Sequence, residues 1–169
     1  MTKPDLATLE PYFVNYIKLV PTDNLVHALI DQHENFCTFL KFIPTAKEDY
    51  AYQVGKWTVK EVLQHIIDTE RIFAYRALCL SRHDATPQPP FNENVYVANS
   101  YATQRTIQEI IHEYDVVRQA TISLYKSFVA AQYNYVGTVG ERQATPLVLG
   151  FALVGHCAHH YNTLSSLYL

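Results

Sequence analysis

Thr145-Pro146-Leu147-Val148-Leu149-Gly150-Phe151-Ala152-Leu153-Val154-Gly155-His156-Cys157-Ala158-His159-His160, near the end of this 169-residue chain, is the stretch on which its fold turns. Threonine then proline starts a helix: the hydroxyl caps free amides, and the proline sits in the first turn, where its missing N–H costs nothing. The residues that follow are apolar nearly all round, which makes this the most buried helix of the molecule. Three histidines then fall within five residues. A fourth, His65, lies far upstream in a second helical pattern.

Working outward, three further long helices are predicted. Thr22 or Asp23 caps one whose apolar stripe is Leu25, Leu29, Phe36 and Leu40, ended by Pro44. Thr58 and Glu61 form a capping box opening a second, with Val62, His65, Thr69, Ile72 and Arg76 down one face, running out near Arg82. A third is expected from Asn99 or Ser100 to about Gln132, burying Ile107, Ile110, Tyr114, Val117 and Thr121. Residues 5–20 fit a shorter helix ended by Pro21. Between the second and third long helices lie residues 83–99, with three prolines and three asparagines, too long for a tight turn and suited to a lid or crossover. Residues 133–144 are expected to be a loop, and no segment reads as a strand. The fold class is therefore all-α: one domain over residues 1–169, a four-helix bundle with a long crossover loop between helices two and three.

Composition narrows the function. Hydrophobic content of 49% and charged content of 17% suit a folded chain with a full core. A net charge of -3 and the absence of a Lys/Arg cluster give no basis for nucleic-acid binding. The longest apolar run, Leu147 to Gly155, is too short to span a bilayer. Cys37, Cys79 and Cys157 are odd in number and form no CxxC pair, so they read as buried thiols in a reducing compartment. With no signal-peptide pattern at the N-terminus, a cytoplasmic location and no membrane partner are expected.

Residues i and i+4 of a helix lie about 40° apart around the axis, so His156 and His160 can aim at one point. His65, on an inward face of another helix, supplies a third nitrogen. Geometry alone leaves His159, three residues from His156, as an alternative partner. The His-x-x-x-His spacing matches that of zinc proteases, but Cys157 stands where their catalytic glutamate would be, which rules out that assignment. Three protein ligands would leave a coordination position open, as in catalytic sites.

Gly55-Lys56-Trp57-Thr58-Val59-Lys60-Glu61-Val62-Leu63-Gln64-His65-Ile66-Ile67-Asp68-Thr69-Glu70-Arg71, then Tyr75-Arg76-Ala77-Leu78, Pro90-Phe91-Asn92-Glu93 and Gly155-His156-x-x-His159-His160, resembles the DinB/YfiT-like superfamily of small four-helix-bundle metal proteins. The resemblance runs from about residue 20 to the C-terminus. It implies a metal triad of His65, His156 and His160, so it selects His160 over His159. It also implies a divalent ion, nickel or zinc first and manganese or iron as alternatives, and a homodimer. The activity it implies is that of a metal-dependent hydrolase or a small-thiol S-transferase acting on a small molecule. A non-catalytic metal-binding or small-molecule-binding protein connected with stress is the alternative. Asp68 and Glu93 are the candidate catalytic carboxylates. Arg76 is expected to pair with Glu93 and pin the long loop over the metal. Trp57 is expected to anchor the core, and no tyrosine is assigned to catalysis.

Overall fold

The computed structural model describes residues 1–169. Its helices are α1 (Pro11–Ile17), α2 (Leu25–Leu40), α3 (Val59–Ser81), α4 (Glu93–Ala98), α5 (Ile107–Lys126) and α6 (Pro146–Thr163); a two-stranded hairpin, β1 (Gly137–Val139) and β2 (Arg142–Ala144), precedes α6. The four long helices α2, α3, α5 and α6 form the bundle. No helix is long and apolar enough to cross a membrane.

The pairing of side chains fixes the helix directions. His33 and Gln32 of α2 meet Asp115 and Arg118 of α5, while Phe36 meets Tyr114, so these two helices run antiparallel. Gln64 lies by Arg105, and Glu70 by Arg118, so α3 and α5 run parallel as neighbours. Gln32 reaches Val154 and Phe36 packs near Tyr161, so α2 and α6 also run parallel. Parallel neighbours cannot be joined by a turn. The chain between α3 and α5 must travel the length of the bundle, which is the crossover that the long 83–99 segment implied.

Local chemistry accounts for the helix ends. Thr58 and Glu61 make the expected capping box on α3. Thr145 accepts from Val148 N–H, with Pro146 in the first turn of α6. Other boundaries differ from the sequence reading. Asn24, not Thr22 or Asp23, caps α2 by accepting from His27 N–H. The expected third helix starts later than Asn99 or Ser100, and part of the 83–99 connection is itself helical. Asn92 caps the separate short α4, Tyr101 turns the chain at φ 53°, and α5 starts only at a second capping box, Thr106 with Glu109. It ends at Lys126 rather than near Gln132. The loop expected over 133–144 holds the hairpin, whose Gly140 (φ +62°) supplies the positive φ of a two-residue turn. Gln88 exchanges backbone hydrogen bonds with Thr138 and Gly140, fastening the crossover to this hairpin.

Two apolar clusters fill the bundle, one around Phe13, Ile17, Leu25, Leu80 and Phe151, the other around Phe36, Leu63, Ile67, Ile110 and Leu164. Between them lies a buried polar link. Arg118, wholly buried, forks onto Glu70 at 2.7 and 2.8 Å and donates to Gln32 Oε1 at 2.9 Å; Gln32 donates to Val154 O at 2.7 Å. One network therefore touches all four long helices. The three cysteines are free thiols; Cys79 and Cys157 are buried as expected, whereas Cys37 is only half-buried.

Candidate metal centre

The parallel and antiparallel pairings place the first turns of α3 beside the last turns of α6. After α6 the chain continues through one wide turn, Leu164–Tyr168, and the Tyr168 hydroxyl donates to Trp57 O at 2.8 Å, just before α3 begins. That bond sets the register of the two helices. Gly155 sets their distance from α1: a Cβ there would collide with the backbone of Tyr16, so only glycine lets α1 pack so closely beside His156.

In this frame His65, His156 and His160 converge. His156 Nε2 lies 3.0 Å from His65 Nε2 and 3.1 Å from His160 Nε2. Trp57 covers the His65 ring at 4.8 Å between centroids, and Tyr16 meets His156 edge-on at 5.5 Å. Trp57 thus belongs to the wall of the site as well as to the packing at the helix start.

Burial holds these imidazoles neutral. It pushes His65 down to about 4, against the pull of the Glu93 carboxylate, and His160 down to about 3, with His65 and His159 adding to the effect. His156 lies well below the usual histidine range for the same reason, reinforced by His160, His65 and His159. Neutral imidazole is the form that binds metal. Hydrogen bonding does not satisfy the cluster by itself. A neutral Nε2 either donates or accepts, so His156 Nε2 can serve only one of its two neighbours well. Three neutral nitrogens converging on one point form a donor set suited to a borderline divalent ion.

A second grouping, His33, Cys37 and Asp115, contrasts with it. His33 Nε2 and Asp115 Oδ1 already form a 2.6 Å hydrogen bond, which satisfies both without an ion.

The triad opens into a cavity of about 470 Å³, walled by Tyr12 and Tyr16 of α1, Thr69, Phe73 and Arg76 of α3, Phe91 and Glu93 of the crossover, and Arg142 of the hairpin. Of the two candidate carboxylates, Glu93 lines this cavity. Asp68 does not. It accepts from Gln64 Nε2 at 3.0 Å and lies 3.8 Å from Arg71, because its position on α3 points toward α5. The expected Arg76–Glu93 pair is also not formed; Arg76 Nη2 donates instead to Pro89 O at 2.5 Å, which still ties the crossover to α3. His159 is exposed on the rim, packed against the rings of Tyr16 and His160. Cys157 faces away from the triad toward Tyr114, and burial pushes its thiol up to about 11. Tyr12 and Tyr16 were not legible as site residues; their i, i+4 spacing on α1 was the available signal.

Comparison with known proteins gives the family and agrees with the fold. The sequence profile of the DinB superfamily matches residues 28–164. Among solved structures, the fold superposes on YfiT from Bacillus subtilis with a TM-score of 0.75, covering 85% of this chain and 83% of that one at 16% identity. That protein is described as a probable metal-dependent hydrolase with an unusual four-helix bundle topology. No curated protein matches the sequence.

Proposed function

The chain belongs to the DinB superfamily, and we propose that it is a divalent-metal-dependent hydrolase of a small molecule, with the ion held by Nε2 of His65, His156 and His160. The observation that carries this reading is the convergence of three neutral imidazole nitrogens at the wall of an open cavity. A metal that merely braced the bundle would call for a closed site with a fourth protein ligand. The description of the YfiT structure points the same way. A nitrogen-only donor set favours nickel or zinc over manganese or iron.

When bound, such an ion supplies Lewis-acid chemistry and lowers the pKa of a nucleophile near it. The chain's own residues do the rest. Glu93, which lines the cavity and acts electrostatically on His65, takes the proton from the nucleophile. Tyr12 and Tyr16, whose hydroxyls burial keeps protonated, donate hydrogen bonds to substrate oxygens. The same arrangement would serve a low-molecular-weight thiol in place of water, as the family resemblance implies, and a homodimer is the assembly proposed.

The test is a screen of zinc- or nickel-loaded protein on small esters and amides, with and without added thiol. Hydrolysis without thiol is expected, falling on the order of 10²-fold in E93Q with metal content unchanged. A folded, metal-free His65→Ala protein with full activity would contradict the proposal. Turnover only with thiol would assign S-transfer.

A further inference from the structure

Arg76 is left over by the chemistry proposed above. Its side chain is 7% exposed, yet no carboxylate lies within ion-pairing distance. Arg82, the other guanidinium with no carboxylate, is exposed, and the remaining four are paired. Arg118 forks onto Glu70, Arg71 and Arg105 share Glu113, and Arg142, across the same cavity, has Glu10 at 3.6 Å. A buried charge is ordinarily paired, because desolvation is costly and only a counter-charge offsets it. Arg76 uses one of its five donors, on Pro89 O, and lies between the rings of Phe73 (5.9 Å) and Phe91 (5.7 Å). Those rings orient a cation without neutralising it.

A second observation lies on the same helix face. Thr69 Oγ1 is the one sealed side-chain oxygen or nitrogen in the molecule with no hydrogen-bond partner, and Thr69 lines the same cavity. His65, Thr69 and Arg76 fall at i, i+4 and i+11. Eleven residues are about three turns, which returns Arg76 to within about 20° of the His65 direction. One wall of the cavity thus presents, in line, an imidazole of the triad and an unpaired guanidinium, with the unpartnered Thr69 hydroxyl sealed behind the wall between them.

We infer that this wall is a substrate cradle, and that the substrate is an elongated small molecule carrying a carboxylate received by Arg76 at the end away from the triad. The inference rests on the proposed active site for where the reacting bond lies, but not for the anion subsite itself. A planar guanidinium with free donors matches a carboxylate through two parallel hydrogen bonds. The cavity volume suits a ligand of this size.

The experiment is calorimetric binding of N-benzoyl-6-aminohexanoate and its uncharged primary amide to the full chain. Wild type is expected to bind the acid about tenfold or more tightly than the amide, as charge-assisted hydrogen bonds to a desolvated guanidinium require. Arg76→Gln should erase that preference by weakening the acid alone, and Arg76→Lys, which keeps charge but loses the fork, should reduce it. His65→Ala should keep it, so loss of the metal site and loss of the anion site are read separately. No acid preference in wild type, or an undiminished preference in R76K or R76Q, would overturn the inference. Should R76Q fail to fold, wild type and R76K decide it.

Discussion

Gly155 carries a constraint out of proportion to its size. Any Cβ at that position meets the Tyr16 backbone, which cannot rotate aside as a side chain could. Gly155→Ala is expected to destabilise the protein by about 1–3 kcal/mol, the usual cost of overpacking, measured by chemical denaturation. Because Tyr16 also meets His156, the same substitution should weaken metal binding; an unchanged affinity would show that α1 does not position the triad. At this scale the sequence was informative where spacing alone carries geometry. His156 and His160 share a helix face by arithmetic, and His65 follows from its place beside Val62 on an inward stripe. Partners set by tertiary packing were not legible. Arg76 was expected on Glu93 and is found on Pro89 O, because a side chain of that reach could meet any part of a long connection whose path the sequence does not encode.

Among the elements, capping chemistry was the reliable guide and helix continuity was not. The capping box at Thr58 marked α3 correctly. An equal box at Thr106 and Glu109 marks the start of α5, beyond the expected Asn99 or Ser100, because Tyr101 breaks the chain at a positive φ with no glycine to signal it. The hairpin has strands of three residues, too short for alternation to show. Arg118 reads as an ordinary polar residue in the α5 pattern, yet it joins α2, α3 and α5 through Leu29 O, Gln32 and Glu70. Arg118→Ala is expected to cost about 3–5 kcal/mol by leaving Glu70 charged and buried without a partner. The double substitution R118M/E70L should recover most of that in urea unfolding, since it removes both charges together. Equal losses in the single and double variants would place the damage in packing instead.

Across the whole molecule, the bundle works by its topology. Parallel pairing of α3 with α5 requires the crossover, and the crossover brings Glu93 and Phe91 over a triad that α3 and α6 build from opposite ends of the sequence. Burial between those helices decides the protonation of the site. Folded-state histidine pKa values pressed below the unfolded value of about 6.5 mean that the native protein binds fewer protons than the unfolded chain. In the metal-free protein, stability is therefore full above that value and declines as pH falls toward about 4 for His65 and about 3 for His160. Within the folded state, protons compete with a metal only near those lower values, not at the pH where an exposed histidine site would empty. Zinc titrated calorimetrically into metal-free protein at neutral pH and again at about pH 5.5, where a free imidazole is mostly protonated, tests the triad most directly. A single ion per chain is expected at both pH values, lost in folded His65→Ala and His160→Ala. No binding at neutral pH, or binding that survives both substitutions, would contradict a metal centre at His65, His156 and His160.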